Sequence, residues 1–178
     1  EITAEFADEF ERSREAVECY RTEDAEYLFV QIGSFATKAR EAVDRLREAG
    51  QAVGLVRPRL FRPLPEQHLC QAMAGKKGVA VIDQNLGAGK GGVLYSELAS
   101  VLFGHADMPA ILVSFIGGLG GRDISTEEYF AMAAITRQAV QDGKAPPPRL
   151  LFTETELREV RKLQAVANMK RRQGGEKS

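Results

Sequence analysis

Residues 78–83 read Gly-Val-Ala-Val-Ile-Asp, an apolar run of the length and composition that predict a strand inside a sheet. Similar runs at Ala52–Arg57 and Ile111–Ile116 are predicted to be strands as well. Helical patterns at Pro65–Ala74 and Val93–Phe103 separate the three runs. Strands that alternate with helices of this length indicate a mostly parallel sheet with helices on both faces.

The same alternation continues outward from this centre. Tyr27–Gly33 is rich in strand-forming residues and precedes a helical pattern over residues 34–48. Val17–Tyr20 is predicted to be a short edge strand. Thr126–Val140 is predicted to be a helix, because the motif Ser-x-x-Glu at 125–128 forms a capping box at its start. The sequence therefore predicts a three-layer α/β/α domain over residues 17–142, with a mostly parallel five-stranded sheet.

The two ends of the chain differ in charge from this domain. Residues 1–16 predict an acidic amphipathic helix, and residues 1–26 hold ten acidic and three basic side chains, a net charge of −7. Residues 143–178 comprise a Gly-Lys-Ala-Pro-Pro-Pro linker, an extra C-terminal helix that ends near Met169, and a tail expected to be disordered. Residues 154–178 carry a net charge of +3, so the two ends are expected to attract each other or to face different partners.

Bulk composition excludes several classes of protein. The formal net charge is −1, which gives no reason to expect nucleic acid as a partner. No apolar run approaches the ~20 residues that span a bilayer. Cys19 and Cys70 are isolated, which is typical of reduced thiols in a cytoplasmic protein and predicts no metal site. No catalytic residue is predicted, since His68 and His105 have no nucleophile beside them in sequence.

A first glycine-rich loop, Gly87–Gly92, formally matches the dinucleotide-binding pattern Gly-x-Gly-x-x-Gly between a strand and a helix. Asp107 lies about twenty residues further on, as that pattern requires, but it precedes the next strand instead of ending it. The alternative is a turn in which Gly89, Gly91 and Gly92 allow close packing against a neighbouring surface.

A second glycine-rich loop, Gly117–Asp123, holds four glycines within five residues before Arg122 and the capped helix. Its amides, the helix dipole and the guanidinium group together suit an anion. The alternative is a structural loop in which Gly120, Gly121, Arg122 and Asp123 dock on another domain. We expect Asp123 to orient Arg122.

Three arginines cluster around two prolines at the end of a predicted strand. Arg57, Arg59 and Arg62 lie in the segment Val-Arg-Pro-Arg-Leu-Phe-Arg-Pro. Guanidinium groups so placed can bind carboxylates or phosphates. The interpretation we favour is that they form salt bridges across an interface.

Several of these motifs, taken in order, resemble one family. The family is the second domain of pyruvate:ferredoxin oxidoreductase alpha subunits. The segments that resemble it are Tyr20–Tyr27, the arginine–proline strand with the helix after it at Val53–Glu66, and the aspartate strand at Val79–Asp83 with the Gly-Gly-x-Leu-Tyr turn at residues 91–95. Phe115–Asp123 resembles that family's Gly-Leu-Gly-Gly-Arg-Asp signature. The resemblance covers about residues 15–140.

The resemblance implies a fold like the C-terminal domain of transketolase, with one antiparallel strand, taken to be Val17–Tyr20. It also implies a complex that converts a 2-oxoacid and coenzyme A to acyl-CoA, carbon dioxide and reduced ferredoxin or flavodoxin. Such a complex uses thiamine diphosphate, magnesium and iron–sulfur clusters. This chain has neither the thiamine diphosphate motif nor cluster cysteines, so we expect it to bind none of these cofactors and to be inactive alone.

Three hypotheses follow from the sequence. The first is a non-catalytic docking domain of such an oxidoreductase, with other domains and subunits as partners and Arg62, Arg122 and the glycine loops at the contacts. The second is a stand-alone nucleotide-binding module that uses Gly87–Gly92. The third is a protein-interaction adaptor that uses one of the charged terminal helices.

Overall fold

The computed structural model describes residues 5, 8–10, 15–87, 91–152 and 154–175. Within these ranges one sheet has six strands, which are β1 (Val17–Tyr20), β2 (Tyr27–Gln31), β3 (Val53–Pro58), β4 (Gly78–Asp83), β5 (Ile111–Ile116) and β6 (Arg149–Leu150). They lie in the order β1-β3-β2-β4-β5-β6. β1 runs antiparallel to β3, and every other pair is parallel. The predicted antiparallel edge strand is thereby confirmed.

Helices cover both faces of this sheet. The helices are α1 (Ala36–Glu48), α2 (Glu66–Met73), α3 (Val93–Leu102), α4 (Thr126–Gln141) and α5 (Glu154–Gly175). α1 and α4 pack in one apolar cluster, while α2 and α3 pack in the other. The predicted three-layer α/β/α architecture is confirmed.

The central strand β4 is buried on both faces, which is why its sequence predicts a strand so clearly. All six of its residues are buried. Ala80 and Ile82 pack in the cluster of α1 and α4, whereas Val79 and Val81 pack in the cluster of α2 and α3. A strand that is covered on both faces needs apolar residues at consecutive positions, so its sequence is a continuous apolar run.

The sixth strand differs from the five-stranded sheet that the sequence predicts. Arg149 and Leu150 pair in parallel with Phe115 and Ile116 at the edge of the sheet. Two residues after a proline run carry no alternating pattern, and both are exposed. Sequence periodicity therefore gave no signal for β6.

Helix ends and chain ends differ from expectation in smaller ways. α5 continues to Gly175, beyond the predicted end near Met169 and into the tail that we expected to be disordered. Glu5 and residues 8–10 are helical, while residues 1–4, 6–7 and 11–14 of the predicted acidic helix lie outside the described residues. Gly89 and residues 176–178 lie outside them as well.

Strand order fixes where a site can form. The chain passes from β2 to β3 on one side and then returns to β4 on the other side of β2. The connections after β2 and β4 therefore diverge and leave a crevice at the carboxyl ends of these two strands, which is where open α/β sheets bind their ligands.

Candidate functional site

A cavity of about 360 Å³ lies in this crevice. Its walls come from the segments that follow β2, β3 and β4 and from the first turn of α3. The lining residues are Ile32, Gly33, Phe61, Ile82, Asp83, Gln84, Asn85, Val93 and Leu94. Most of these side chains are apolar, and Asp83 is the one charged residue among them, so the cavity favours an apolar occupant.

The carboxylate of Asp83, which lines this cavity, accepts hydrogen bonds from the backbone at the start of α3. Its Oδ1 accepts a hydrogen bond from the backbone N–H of Leu94 at 2.8 Å, and its Oδ2 accepts one from Tyr95 at 3.1 Å. The Oδ1 of Asn85 accepts from the N–H of Val93 at 2.9 Å. Burial raises the pKa of the Asp83 carboxyl more than these amides lower it. The start of α3 is therefore capped by side chains of the chain itself.

The glycines of the first loop pack against this cap. A Cβ on Gly92 would lie 1.9 Å from Cγ of Asp83, and a Cβ on Gly91 would lie 3.0 Å from Cγ of Pro148 and from Oγ of Ser114. A dinucleotide site would instead place a pyrophosphate at the first amides of α3. Because carboxylate and amide oxygens already occupy those N–H groups, the geometry argues against the nucleotide-binding hypothesis.

The second loop has a conformation that explains its glycines. It contains a short 3-10 helix, Leu119–Gly121, and Gly118, Gly120 and Gly121 have φ of 73°, 66° and 83°. These left-handed values strongly favour glycine, since a Cβ crowds the backbone there. The loop then leads into Ser125, whose hydroxyl accepts from the N–H of Glu128 to complete the predicted capping box.

Arg122 lies at the centre of a three-residue ion-pair network. Its Nη2 donates to Oε1 of Glu128 at 2.7 Å, and its Nε donates to Oε2 of Glu156 at 2.8 Å. Burial opposes the charge, but the two carboxylates outweigh it and raise the pKa of the guanidinium. Nη1 is buried with no hydrogen-bond partner within the described part of the chain. The network links the second loop, α4 and α5.

Asp123 does not touch this network directly. Its carboxyl pairs with Lys38 of α1, and its Oδ1 also accepts from the N–H of Ile124 at 3.0 Å. The hydrogen bond with Lys38 holds the pKa of Asp123 below its usual value. Glu128 and Glu156, and not Asp123, are the residues that orient Arg122.

The arginine–proline segment pairs within the domain. Arg57 and Arg59 both contact Oε2 of Glu18, at 3.4 and 2.6 Å, and Arg40 contacts its Oε1 at 3.2 Å. Arg62 donates to Glu97 at 2.6 Å and lies 4.3 Å above the ring of its neighbour Phe61. Arg62 is thus near the cavity wall, while Arg57 and Arg59 hold the edge strand β1.

Sequence reasoning missed an apolar surface at the carboxyl ends of the strands. Leu60, Leu86, Val93 and Leu119 are exposed, and Leu86 reaches 59%. They follow the ends of β3, β4 and β5 or begin α3. Because these residues lie on separate segments of the chain, the sequence gave no sign that they share one face. The glycine-rich loops that follow β4 and β5 begin in this same face.

The described residues offer neither a metal site nor a membrane-spanning helix. No group of three His, Cys, Asp or Glu side chains that could hold a metal ion occurs in the described ranges. No helix there is both long and apolar enough to cross a bilayer. Cys70 lies 3.9 Å from Nε2 of His105, and burial raises the pKa of its thiol, so this contact does not produce a reactive thiolate.

Two solved structures share the fold. The 2-oxoglutarate:ferredoxin oxidoreductase from Magnetococcus marinus matches with a TM-score of 0.52 at 21% identity, over 77% of this chain and 21% of that one. A split gene transketolase described as an inactive beta4 tetramer matches with a TM-score of 0.54 at 19% identity, over 71% of this chain and 43% of that one. These likenesses confirm the transketolase C-terminal-like fold.

Curated relatives are closer in sequence. Pyruvate synthase subunit PorA of Methanothermobacter thermautotrophicus is 41% identical over 121 residues, which are 68% of this chain and 30% of the relative. Ketoisovalerate oxidoreductase subunit VorA of Pyrococcus horikoshii is 36% identical over 144 residues, 80% of this chain and 36% of the relative. The chain thus spans about a third of the length of these relatives.

A sequence model of the pyruvate:ferredoxin oxidoreductase core domain II matches residues 25–129. The match contains the strands β2 to β5, the Asp83 cap and both glycine-rich loops. It covers more than half of the chain, and the motifs quoted above lie within it or at its edge. The chain belongs to the family of pyruvate:ferredoxin oxidoreductase core domain II.

Proposed function

We propose that this chain is a non-catalytic docking domain of the alpha subunit of a 2-oxoacid:ferredoxin oxidoreductase. The complete complex would oxidatively decarboxylate pyruvate or a related 2-oxoacid with coenzyme A, in the cytoplasm, and pass electrons to ferredoxin or flavodoxin. The relatives support both options for the substrate, since one is named for pyruvate and another for ketoisovalerate.

The observation that carries this proposal is the surface at the carboxyl ends of the strands. Its charged groups are already paired within the domain, Asp83 with amides and Arg122 with two glutamates. Around the cavity the apolar side chains of Leu86 and Val93 are exposed, together with the polar residues Gln84 and Asn85, of which Asn85 already accepts from the N–H of Val93. A surface of satisfied polar groups and exposed apolar side chains suits protein contact, because burying it leaves few polar groups unpaired.

The residues of this chain do not suit the cofactors of the family. An iron–sulfur cluster needs four cysteine ligands in its common forms, and the sequence holds two cysteines. Those two lie on different elements, Cys19 in β1 and Cys70 in α2. The clusters would therefore be bound by other domains and subunits, and we place thiamine diphosphate and magnesium there as well, because the sequence lacks the thiamine diphosphate motif.

Arg122 is proposed to act as a structural link and not as a coenzyme A ligand. An incoming phosphate would compete with Glu128 and Glu156, whose carboxylates lie within 2.8 Å of the guanidinium group, and the remaining donor, Nη1, is buried. If Arg122→Ala lowered assembly of the complex without changing KM for coenzyme A, the structural role would be supported. A raised KM for coenzyme A with intact assembly would reverse this assignment.

The first experiment is to purify the native full-length subunit with its partners. The expected result is co-purification with thiamine-diphosphate and iron–sulfur subunits and 2-oxoacid- and coenzyme-A-dependent reduction of a viologen dye. The variant Leu86→Glu should lower the yield of assembled complex. Phe103→Glu is the control, because Phe103 is also exposed but follows α3 at the other end of the helix.

Two outcomes would count against the proposal. A subunit that purifies alone, without those cofactors or that activity, would be inconsistent with it. A chain that is stabilised by NAD, FAD or ATP in a thermal shift would favour the nucleotide-binding hypothesis, since ligand at a hundred times Kd adds about 2.7 kcal/mol.

A further inference from the structure

Three arginines converge on one carboxylate at the edge of the sheet. Arg57 and Arg59 both contact Oε2 of Glu18, at 3.4 and 2.6 Å, and Nη1 of Arg40 contacts its Oε1 at 3.2 Å. We call these four residues the Glu18 cluster. Three guanidinium groups against one carboxylate leave an excess of two positive charges. Like charges held this close repel each other, so a further anion would stabilise the cluster.

The three guanidinium groups keep most of their donors available to a ligand. The side chains of Arg40, Arg57 and Arg59 are 46%, 28% and 34% exposed, whereas that of Glu18 is 16% exposed. A guanidinium group has five N–H donors. In the described part of the chain, Glu18 accepts one hydrogen bond from Arg40, one from Arg57 and two from Arg59. Glu18 therefore binds a minority of these N–H groups.

Neighbouring contacts hold the cluster in place before any ligand binds. The Arg40 guanidinium lies 4.3 Å from the centre of the Tyr20 ring, and the Tyr20 hydroxyl donates to the carboxyl group of Asp44 at 2.8 Å. Arg40 and Asp44 lie one turn apart on α1, while Glu18 and Tyr20 lie on one face of β1. Arg57 is directly opposite Glu18 in the sheet. Donors fixed in this way lose little freedom when a ligand binds.

We propose that the Glu18 cluster is a binding site for a phosphate monoester. Such a group carries close to two negative charges at pH 7 and three strong acceptor oxygens, which match the excess charge and the three guanidinium groups. A carboxylate has one charge and two oxygens, so it would match fewer of them. Arg122 is the opposite case, because two carboxylates already contact one guanidinium group there. This inference does not rest on the proposed function.

Titration of the purified 178-residue chain with methyl phosphate, at constant ionic strength, tests the site. NMR signals of the arginine Nε–H groups follow the binding, and those of Arg40 and Arg59 should shift and saturate. Arg40→Gln and Arg59→Gln should each raise the Kd at least about tenfold, since each removes charge-assisted hydrogen bonds. Arg45→Gln is the matched control, because Arg45 is on the same helix, is 54% exposed and pairs with Glu41. Circular dichroism would check that the variants remain folded.

A second titration, with dimethyl phosphate, separates a monoester from other sources of phosphate. A diester carries a single negative charge, as in a nucleic acid backbone or the headgroup phosphate of a lipid, and should bind several-fold more weakly than methyl phosphate. Three results would overturn the proposal. They are signals that do not saturate with methyl phosphate, a diester that binds as tightly as the monoester, and an Arg45→Gln variant that loses as much affinity as Arg40→Gln.

Discussion

A Cβ on Gly92 would lie 1.9 Å from Cγ of Asp83, because α3 begins directly against the carboxyl group that caps it. Gly92 has φ of −81°, a value that any residue adopts. The need for glycine at this position therefore comes from close approach and not from backbone conformation. The close contact explains why an aspartate at the end of β4 and a glycine directly before α3 occur together in this sequence.

Gly92→Ala is expected to destabilise the domain by about 3 kcal/mol or more, since the new methyl group must displace a buried carboxyl or the helix start. Urea unfolding followed by circular dichroism measures this loss. Gly143→Ala is the control, because Gly143 has φ of +65° with no atom within 4 Å of its Cβ position. Only conformational strain of about 1 kcal/mol is expected there. Equal losses at the two positions would contradict the steric explanation.

Asp83→Asn should remove one acceptor from the start of α3. Both carboxyl oxygens accept backbone N–H groups, and the amide offers one oxygen only, so one buried N–H is left facing an NH₂ group. The expected loss of stability is about 1–3 kcal/mol, with faster hydrogen exchange at Leu94 or Tyr95. Asp142→Asn, on an exposed carboxyl that accepts from Gln138, should change stability by less than about 0.5 kcal/mol.

Glu18→Gln should lower stability in a pH-dependent way. Burial favours the neutral form of Glu18, but the hydrogen bond with Arg59 and the charges of Arg57 and Arg40 outweigh it and lower the pKa of Glu18 below the ordinary value of 4.5. A carboxyl whose folded pKa is lowered stabilises the fold above its unfolded pKa, and this contribution is lost as the pH falls through the folded value.

The measurement is the free energy of unfolding of both proteins from pH 7 to pH 3. At pH 7 the variant should be less stable by about 1–3 kcal/mol, and the difference should shrink on acidification as Glu18 takes up its proton. Glu41→Gln is the control, because its pair with Arg45 is exposed on a helix and is worth at most about 0.5 kcal/mol. A Glu18 difference that is constant with pH would exclude the ion-pair explanation.

The fold could be predicted from sequence wherever burial leaves a local pattern. β4 and β5 are mostly apolar because both faces of the central sheet are covered. The Ser125–Glu128 capping box marked the start of α4 because its two hydrogen bonds are local. β6 could not be predicted, since its two residues are held by pairing with Phe115 and Ile116 and not by their own propensity.

The site was predictable only in part, for the same reason. Glycine content located both loops, but the partners of Arg122 depend on the tertiary fold. Glu156 is 34 positions away in sequence, and Asp123 was the nearer candidate. Glu18 likewise forms ion pairs with Arg40 of α1, Arg57 of β3 and Arg59. Only the tertiary fold brings these arginines close to it. Composition finds unusual segments, whereas contacts between distant segments require the structure.

The Arg122 network yields a last prediction, in which its two glutamates differ. Glu128 is 19% exposed and its Oε2 also accepts from the N–H of Ser125 at 2.9 Å, whereas Glu156 is 40% exposed. Glu128→Gln should therefore cost about 1–2 kcal/mol of global stability. Glu156→Gln should cost less than about 1 kcal/mol but should speed hydrogen exchange in the first turns of α5, because it releases that helix from the loop. If Glu156→Gln lowered global stability more than Glu128→Gln, the loop would depend on α5 for its conformation, and Arg122 would be a folding contact and not a tether.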